Sequence, residues 1–459
     1  MKKIGHVEIA VIGAGIIGIA TAYYLCKKYR HKSVVLIDSR DTMSYTSAQS
    51  GDNYRNWWPS DVMTQFTNRS IDLMREIADQ SSNVLKMKQS GYVLATRRED
   101  IGDLLESLNA NYDKSYGLIR VHHDSFGKDY LNPLAQDWAS TINGVDVISN
   151  KLLINRVFPQ FSSEIENVLH IRNAGDISGQ QMGEYMLQQI KPLGCSRIRG
   201  HVQSIERDAA YTLEIRNADG LVLLSADKIV NAAGPYVTDI ASMLGIDLPI
   251  ENVFQQKIAF EDHLSVVPRD QPFSIDIDQT TLSWSDEERA ALTQDQNLNW
   301  LTKPIDGGIH CRPEGAGKWI KLGWAYNRQA SIPDNNKQLI EDPHYNPYFP
   351  EIVIRGAAKL NPSLEPYITA LPTTRAHYGG YYTMTEENWP LIGPLDQSGA
   401  FIAGAMSGFG SMSACAAGSL CADWVCQGEL PEYAQALSLA RYQDKELLAQ
   451  LQQQNTGIL

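Results

Sequence analysis

The stretch VIGAGIIGIATAYYLCKKYRHKSVVLIDSR, residues 11–40, constrains the fold more tightly than any other part of the chain. Residues 7–13, VEIAVIG, read as a short buried strand, apolar and β-branched, of the kind found inside parallel sheets. Gly13, Gly15 and Gly18 then form G-x-G-x-x-G, apolar residues follow at helical spacing, and SVVLID makes a second strand ending on Asp38. That is a complete β-α-β unit. Its first glycine permits a tight turn, its second lets the backbone approach a pyrophosphate, and its third lets helix and strand pack closely. The free N–H groups at the helix start face the phosphates. Asp38 follows Gly18 by twenty residues, where a carboxylate accepts hydrogen bonds from ribose hydroxyls and disfavours a 2'-phosphate. The expectation is a bound adenine dinucleotide, FAD or NAD rather than NADP.

The rest of the composition narrows the classes. A chain of 459 residues has room for about two or three domain-sized units. A net charge of -13 with no lysine–arginine stripe argues against a nucleic acid partner. The six cysteines include no C-x-x-C pair and no histidine at metal-ligand spacing, so no metal site is expected. They read as free thiols in a reducing compartment. Lys2 and Lys3 before an apolar run resemble a secretory signal, but Glu8 and three glycines interrupt it. No uninterrupted apolar stretch approaches the length of about 18 needed to span a bilayer. A cytoplasmic protein without a transmembrane segment is the expectation.

Two later segments add to the first unit. SADKIVNAAGPYVTDIASMLG, 225–245, is a strand running into the small residues Ala232, Ala233 and Gly234, either an ordinary strand-to-helix turn or a place where a cofactor meets backbone. Ahead of it, 194–208 reads as a short strand pair. Near the C-terminus a strand over 401–404 leads into a glycine-rich turn, Ser407 to Gly410, and a long helix of small residues. That turn either packs the helix or aims its N-terminus at a ligand.

The segments VIGAGIIGIATAYYL, VNAAGPY, RPEGAGKWIKLGW, MTEENWPLIGP and GAMSGFGSMSACAAG, in this order, resemble the D-amino-acid-oxidase-type (DAO) family of FAD-dependent oxidoreductases, which includes glycine oxidase and monomeric sarcosine oxidase. The resemblance implies an α/β fold: a Rossmann-type FAD-binding domain with a second, mixed-sheet substrate domain. By similarity, residues 1–85, 150–235 and 372–459 form the first and 86–149 and 236–371 the second, with 262–308 a polar insertion. The FAD-contacting positions it implies begin with Gly13, Gly15, Ile16, Ile17, Gly18, Asp38 and Ser39, and continue through Ser47, Ser50, Gly51 and Val202. Ala232, Ala233 and Gly234 follow, then Gly404, Ser407, Gly408, Phe409, Gly410, Ser411 and Met412.

Departures from the family pattern matter as well. Residues 45–59 contain no histidine, and Gly380 stands where sarcosine oxidase has a flavin-bonding cysteine, so noncovalent FAD is expected. Lys321, in WIKLGW, falls on a lysine that activates oxygen in sarcosine oxidase; it is otherwise a solvent-facing strand residue. The carboxylate-binding lysine of that enzyme is Met412 here and its histidine is Phe409. A substrate carboxylate would then fall to Arg55, Arg312 or Arg375. Arg55 is alternatively a flavin contact or structural, and Arg312 a strand-end residue. Tyr382 falls on an active-site tyrosine, and Trp57 and Trp58 shape the pocket or the core. The implied reaction is oxidation of the C–N bond of an amino acid or N-substituted amino acid or amine, with hydride transfer to FAD and reoxidation by oxygen or a quinone or other electron carrier. A 2-hydroxy acid or polyol phosphate dehydrogenase, and a flavoprotein subunit of a hetero-oligomeric dehydrogenase, are the alternatives.

Overall fold

The computed structural model describes residues 2–111, 117–132, 138–315, 317–327, 339 and 343–453. Ala316, inside the RPEGAGKWIKLGW segment, lies outside the described residues. The opening β-α-β unit is the strand Lys2–Ile12, the helix Ile16–Lys27 and the strand Val34–Asp38. The two strands pair in parallel, from Ile9 on Val34 to Ile12 on Ile37. They lie inside an eight-stranded sheet whose order is His201–Arg207, Tyr211–Asn217, Gly220–Asn231, Lys2–Ile12, Val34–Asp38 and Ser196–Arg199. Ala400–Gly404 adds in parallel to Gly220–Asn231, and Leu391–Pro394 adds antiparallel to Ala400–Gly404. The strands expected as a pair over 194–208 therefore separate. Ser196–Arg199 joins Val34–Asp38, and His201–Arg207 joins Tyr211–Asn217.

Helices Ile16–Lys27, Asp61–Ser81, Gly179–Ile190 and Gly410–Cys426 pack together against this sheet in one apolar cluster. Almost every residue of Ile16–Lys27 and Gly410–Cys426 is buried, because both helices are covered on all sides.

The second sheet has nine strands, ordered Arg375–Met384, Glu251–Glu261, Trp319–Gly323, Ile309–Pro313, Phe273–Asp276, Tyr92–Thr96, Asn167–Ile171, Val145–Ile148 and Ile119–His122. Asn167–Ile171 and Arg375–Met384 hydrogen-bond here, although they fall in the sequence segments 150–235 and 372–459 assigned above to the first unit. Phe273–Asp276, inside the stretch read as a polar insertion, fills a central place in this sheet. Side-chain alternation splits its faces. Ile258, Phe260, Cys311, Ile320 and Leu322 turn toward the helix Phe349–Leu360 and form one core. Lys257, His310, Arg312 and Lys321, of opposite parity, turn toward the first unit. The short pair Asn53–Arg55 and Ala174–Asp176 lies between the sheets. Among the described residues, no helix is long and apolar enough to cross a membrane.

Candidate active site

The glycine turn is fixed by close contact. Gly13 has φ +111°, and a Cβ there would lie 2.2 Å from the Ala232 carbonyl oxygen. A Cβ on Gly18 would lie 2.0 Å from the Gly13 carbonyl oxygen, so the helix can sit this near the strand only with glycine at both places. Asp38 ends the second strand with both oxygens engaged. Its Oδ2 accepts from the Ala14 N–H at 2.7 Å and its Oδ1 from the Arg40 N–H at 2.9 Å. The Ile16 N–H, at the start of the helix, donates to Ser47 Oγ at 3.0 Å.

These groups form one wall of a cavity of about 400 Å³. Gly13, Gly15, Ile16, Ile17, Asp38 and Ser39 line it, with Ser47, Ser50, Gly51 and Val202 beside them. Ala232, Ala233 and Gly234 close one side, and Gly404, Ser407, Gly408, Gly410 and Ser411 the other. Gly18 supports the turn from beneath without lining the cavity. Phe409 and Met412 line a neighbouring pocket instead. The turn before the long helix is strained, with Ala405 and Ser407 at φ +55° and +48°. It is held there because the Ser407 N–H donates to the Thr383 carbonyl at 2.9 Å and the Ser407 hydroxyl bonds Asn388. The helix Gly410–Cys426 thus begins at the cavity wall.

An adenine dinucleotide fits this lining. Backbone is bare of side chains at Gly13, Gly15 and Gly408, the Asp38 carboxylate stands on the wall, and the buried Thr46 Oγ1 there has no hydrogen-bond partner among the described residues. Arg40 adds a cation stacked 4.1 Å from the Tyr45 ring and donating to Tyr236 Oη at 3.3 Å, and all three side chains line the cavity. None of the three carries a sequence pattern that marks it.

The second pocket, about 50 Å³, shares the wall formed by Ser50, Gly51, Lys257, Tyr382, Gly408 and Ser411. Tyr382 packs its ring on bare backbone, for a Cβ on Gly408 would lie 2.5 Å from it. Arg55, 3% exposed, reaches this pocket from the strand Asn53–Arg55. Its guanidinium donates to Tyr92 Oη at 2.9 Å and lies 4.3 Å from the Trp58 ring centre, an arrangement that fixes its plane. Tyr92, Phe273 and His310 follow as an aromatic row on three adjacent strands, with ring centres 4.6 Å and 4.9 Å apart. Burial drives the His310 pKa down to about 3, so the ring is neutral. Its Nδ1 lies 3.0 Å from the Gly308 carbonyl, which fixes the proton there.

The remaining cations differ in their surroundings. Lys321 lines neither cavity; its ammonium sits 3.0 Å from Glu314. Arg312 pairs with the same Glu314 at 2.9 Å and donates to the Gly51 carbonyl at 2.8 Å, bracing the loop that walls the site. Arg375 is exposed and donates to the Pro372 carbonyl. Trp57 and Trp58 are buried in two different apolar clusters. Lys257 is the cation that faces both cavities, and sequence reading passed over it. The signal was present: Gln255, Gln256 and Lys257 place three polar residues between the buried apolar pairs Val253–Phe254 and Ile258–Ala259 in the middle of a strand.

Comparison with solved structures finds the same architecture. L-proline dehydrogenase from P. horikoshii aligns with TM-score 0.71 at 17% identity, covering 97% of this chain and 99% of that one. Glycine oxidase from Geobacillus kaustophilus aligns with TM-score 0.67 at 16% identity, covering 95% and 99%. The open form of NikD, an unusual amino acid oxidase, aligns with TM-score 0.67 at 15% identity, covering 95% and 97%. No curated protein matches the sequence. The DAO family, described as FAD dependent oxidoreductase, matches residues 8–424. With that match running across both sheets, the chain belongs to the DAO family of FAD-dependent oxidoreductases.

Proposed function

We propose that the protein oxidises the C–N bond of an amino acid, N-substituted amino acid or amine to an imine, with FAD held noncovalently and electrons passed on to oxygen or to a quinone or other carrier. The observation that carries this reading is the buried Arg55 guanidinium in a small aromatic pocket sharing a wall with the dinucleotide cavity. A planar cation at such a depth suits a carboxylate, which it can hold through two parallel hydrogen bonds. Proteins of like fold with amino acid oxidase or dehydrogenase names support the substrate class.

In the reaction a substrate carbon loses a hydride, the adjacent nitrogen loses a proton, and a C=N bond forms; FAD, when bound, supplies the hydride acceptor. The chain's own residues do the positioning. Arg55 fixes the carboxylate and so the face of the substrate that turns to the cavity. Phe273, Phe409 and Met412 keep water out of the pocket. Burial raises the Tyr382 pKa to about 12, so its hydroxyl remains a donor at neutral pH. The start of the helix Gly410–Cys426 directs its dipole at the cavity and favours negative charge there. Gly380 lies on the wall, and no cysteine lines either cavity among the described residues, which supports noncovalent FAD. Free thiols at all six cysteines support a cytoplasmic setting.

The test is an anaerobic screen of the yellow protein against D- and L-amino acids, N-methyl amino acids and 2-hydroxy acids. Bleaching by one of the amines is expected; bleaching by hydroxy acids alone would overturn the substrate class. Acid precipitation should release the flavin into the supernatant.

A further inference from the structure

Resting on the amine reading above, the geometry points to Lys257 as the group that takes up the proton when a substrate ammonium becomes the neutral amine that can be oxidised. The reactive amine needs its nitrogen lone pair, and amino acids arrive at neutral pH mostly as ammonium ions. In the transfer an N–H bond of the ammonium breaks, its electron pair stays on the substrate nitrogen, and a new N–H bond forms on Lys257 Nζ.

Three observations support this. First, Lys257 is 6% exposed yet lines both cavities, so its amine faces the place where cofactor space and substrate pocket join. Second, it has no carboxylate within ion-pair distance among the described residues, whereas the buried cations Arg172, Arg312, Lys321, Arg355 and Arg441 each have one. Its hydrogen bond is a long one, 3.3 Å to the Gln49 carbonyl, and its ammonium lies 5.7 Å from the Tyr382 ring centre. A buried lysine without an ion partner is expensive to keep charged, and the pKa falls to about 8, lowered by burial and partly restored by Asp52. Third, Gly323 pairs with Lys257 on one side and His310 on the other; a Cβ there would lie 2.5 Å from His310 Nε2 and 3.1 Å from Lys257 Cγ. The missing side chain opens room for both to turn into the pocket.

The groups facing Lys257 all leave it this role. Asp52 comes from the loop, and neutral His310 and Glu314-paired Arg312 from the strand Ile309–Pro313. Lys321 is held by Glu314 on the adjacent strand, and Tyr378 and Tyr382 on the far side stay protonated because burial raises their pKa. Arg55 is tied to Tyr92.

The experiment measures the limiting rate of anaerobic flavin reduction by a saturating amine from pH 6 to 10, in holoenzyme of the wild type, Lys257→Arg and Lys257→Gln. Arginine keeps the positive charge but cannot accept a proton at these pH values. The wild type should level off above about pH 8, while both variants should run about 100-fold slower at pH 7 and recover toward alkaline pH as the substrate loses its proton to water. A wild-type profile in either variant, or full rescue by arginine alone, overturns the assignment. Failure of every amine to reduce the wild type, with reduction by hydroxy acids, removes the amine reading and this role with it.

Discussion

The two cavities are built by opposite means. The larger cavity is a backbone construction, with glycines at points of contact, N–H groups at the head of a helix, and one carboxylate tying two strand ends together. The adjoining pocket is a side-chain construction, assembled from Arg55, Tyr92, Lys257, Phe273, His310 and Tyr382, which come from six separate strands. At Gly13 and Gly18 the backbone tolerates almost no substitution, because a Cβ collides with main chain that cannot move aside. A side-chain pocket can be re-lined while its scaffold stands, so specificity is free to drift there.

That contrast predicts an ordering of effects. Gly13→Ala should be the most damaging, since the new Cβ meets the Ala232 carbonyl at 2.2 Å and the backbone must hold φ +111°. A loss of about 3 kcal/mol or more in urea unfolding, with loss of bound FAD, is expected. A variant of wild-type stability would mean that the turn can relax and that the cavity is not set by backbone.

Arg55→Met should do the reverse, sparing the fold and striking the substrate. KM for a carboxylate-bearing amine should rise about 100-fold, with FAD affinity held within about threefold. Equal losses for a carboxylate-free amine would show that Arg55 serves the flavin or the packing of Trp58 and Tyr92.

Asp38→Asn comes next, at about tenfold weaker FAD binding by fluorescence titration, because the amide retains one acceptor for the two backbone N–H groups that the carboxylate now serves. An unchanged affinity would place the ribose contact elsewhere on the wall.

The same contrast explains what could be read from sequence. Gly13, Gly15, Gly18 and Asp38 lie within one β-α-β unit, and the physics linking them is local, so their spacing alone made that unit legible. The strand Ala400–Gly404 and the turn after it were visible for the same reason. Lys257 was not, because its importance depends on its register with Gly323 and His310, set by strands more than fifty residues downstream. Phe273–Asp276 was read as part of a polar insertion because the residues around it are polar, while four short residues carry its place in the sheet. Arg55 could be picked out by its charge within NYRNWW; what it bonds to, Tyr92, required the fold.

Lys321 gives the smallest effect and the sharpest use of the comparison. Its motif resembles that of an oxygen-activating lysine, yet its ammonium is engaged by Glu314 at 3.0 Å and faces neither cavity, while Lys257 faces both. Burial and the nearby Arg312 lower its pKa, and Glu314 opposes that shift. In Lys321→Met, Glu314 keeps Arg312 at 2.9 Å, so no buried charge is orphaned, and stability should change by about 1 kcal/mol or less. Anaerobic reduction and reoxidation by oxygen should both stay within about threefold of wild type. If reoxidation alone slowed by orders of magnitude, the Glu314 ion pair would have to open during turnover, and the cation that meets oxygen would be Lys321 after all.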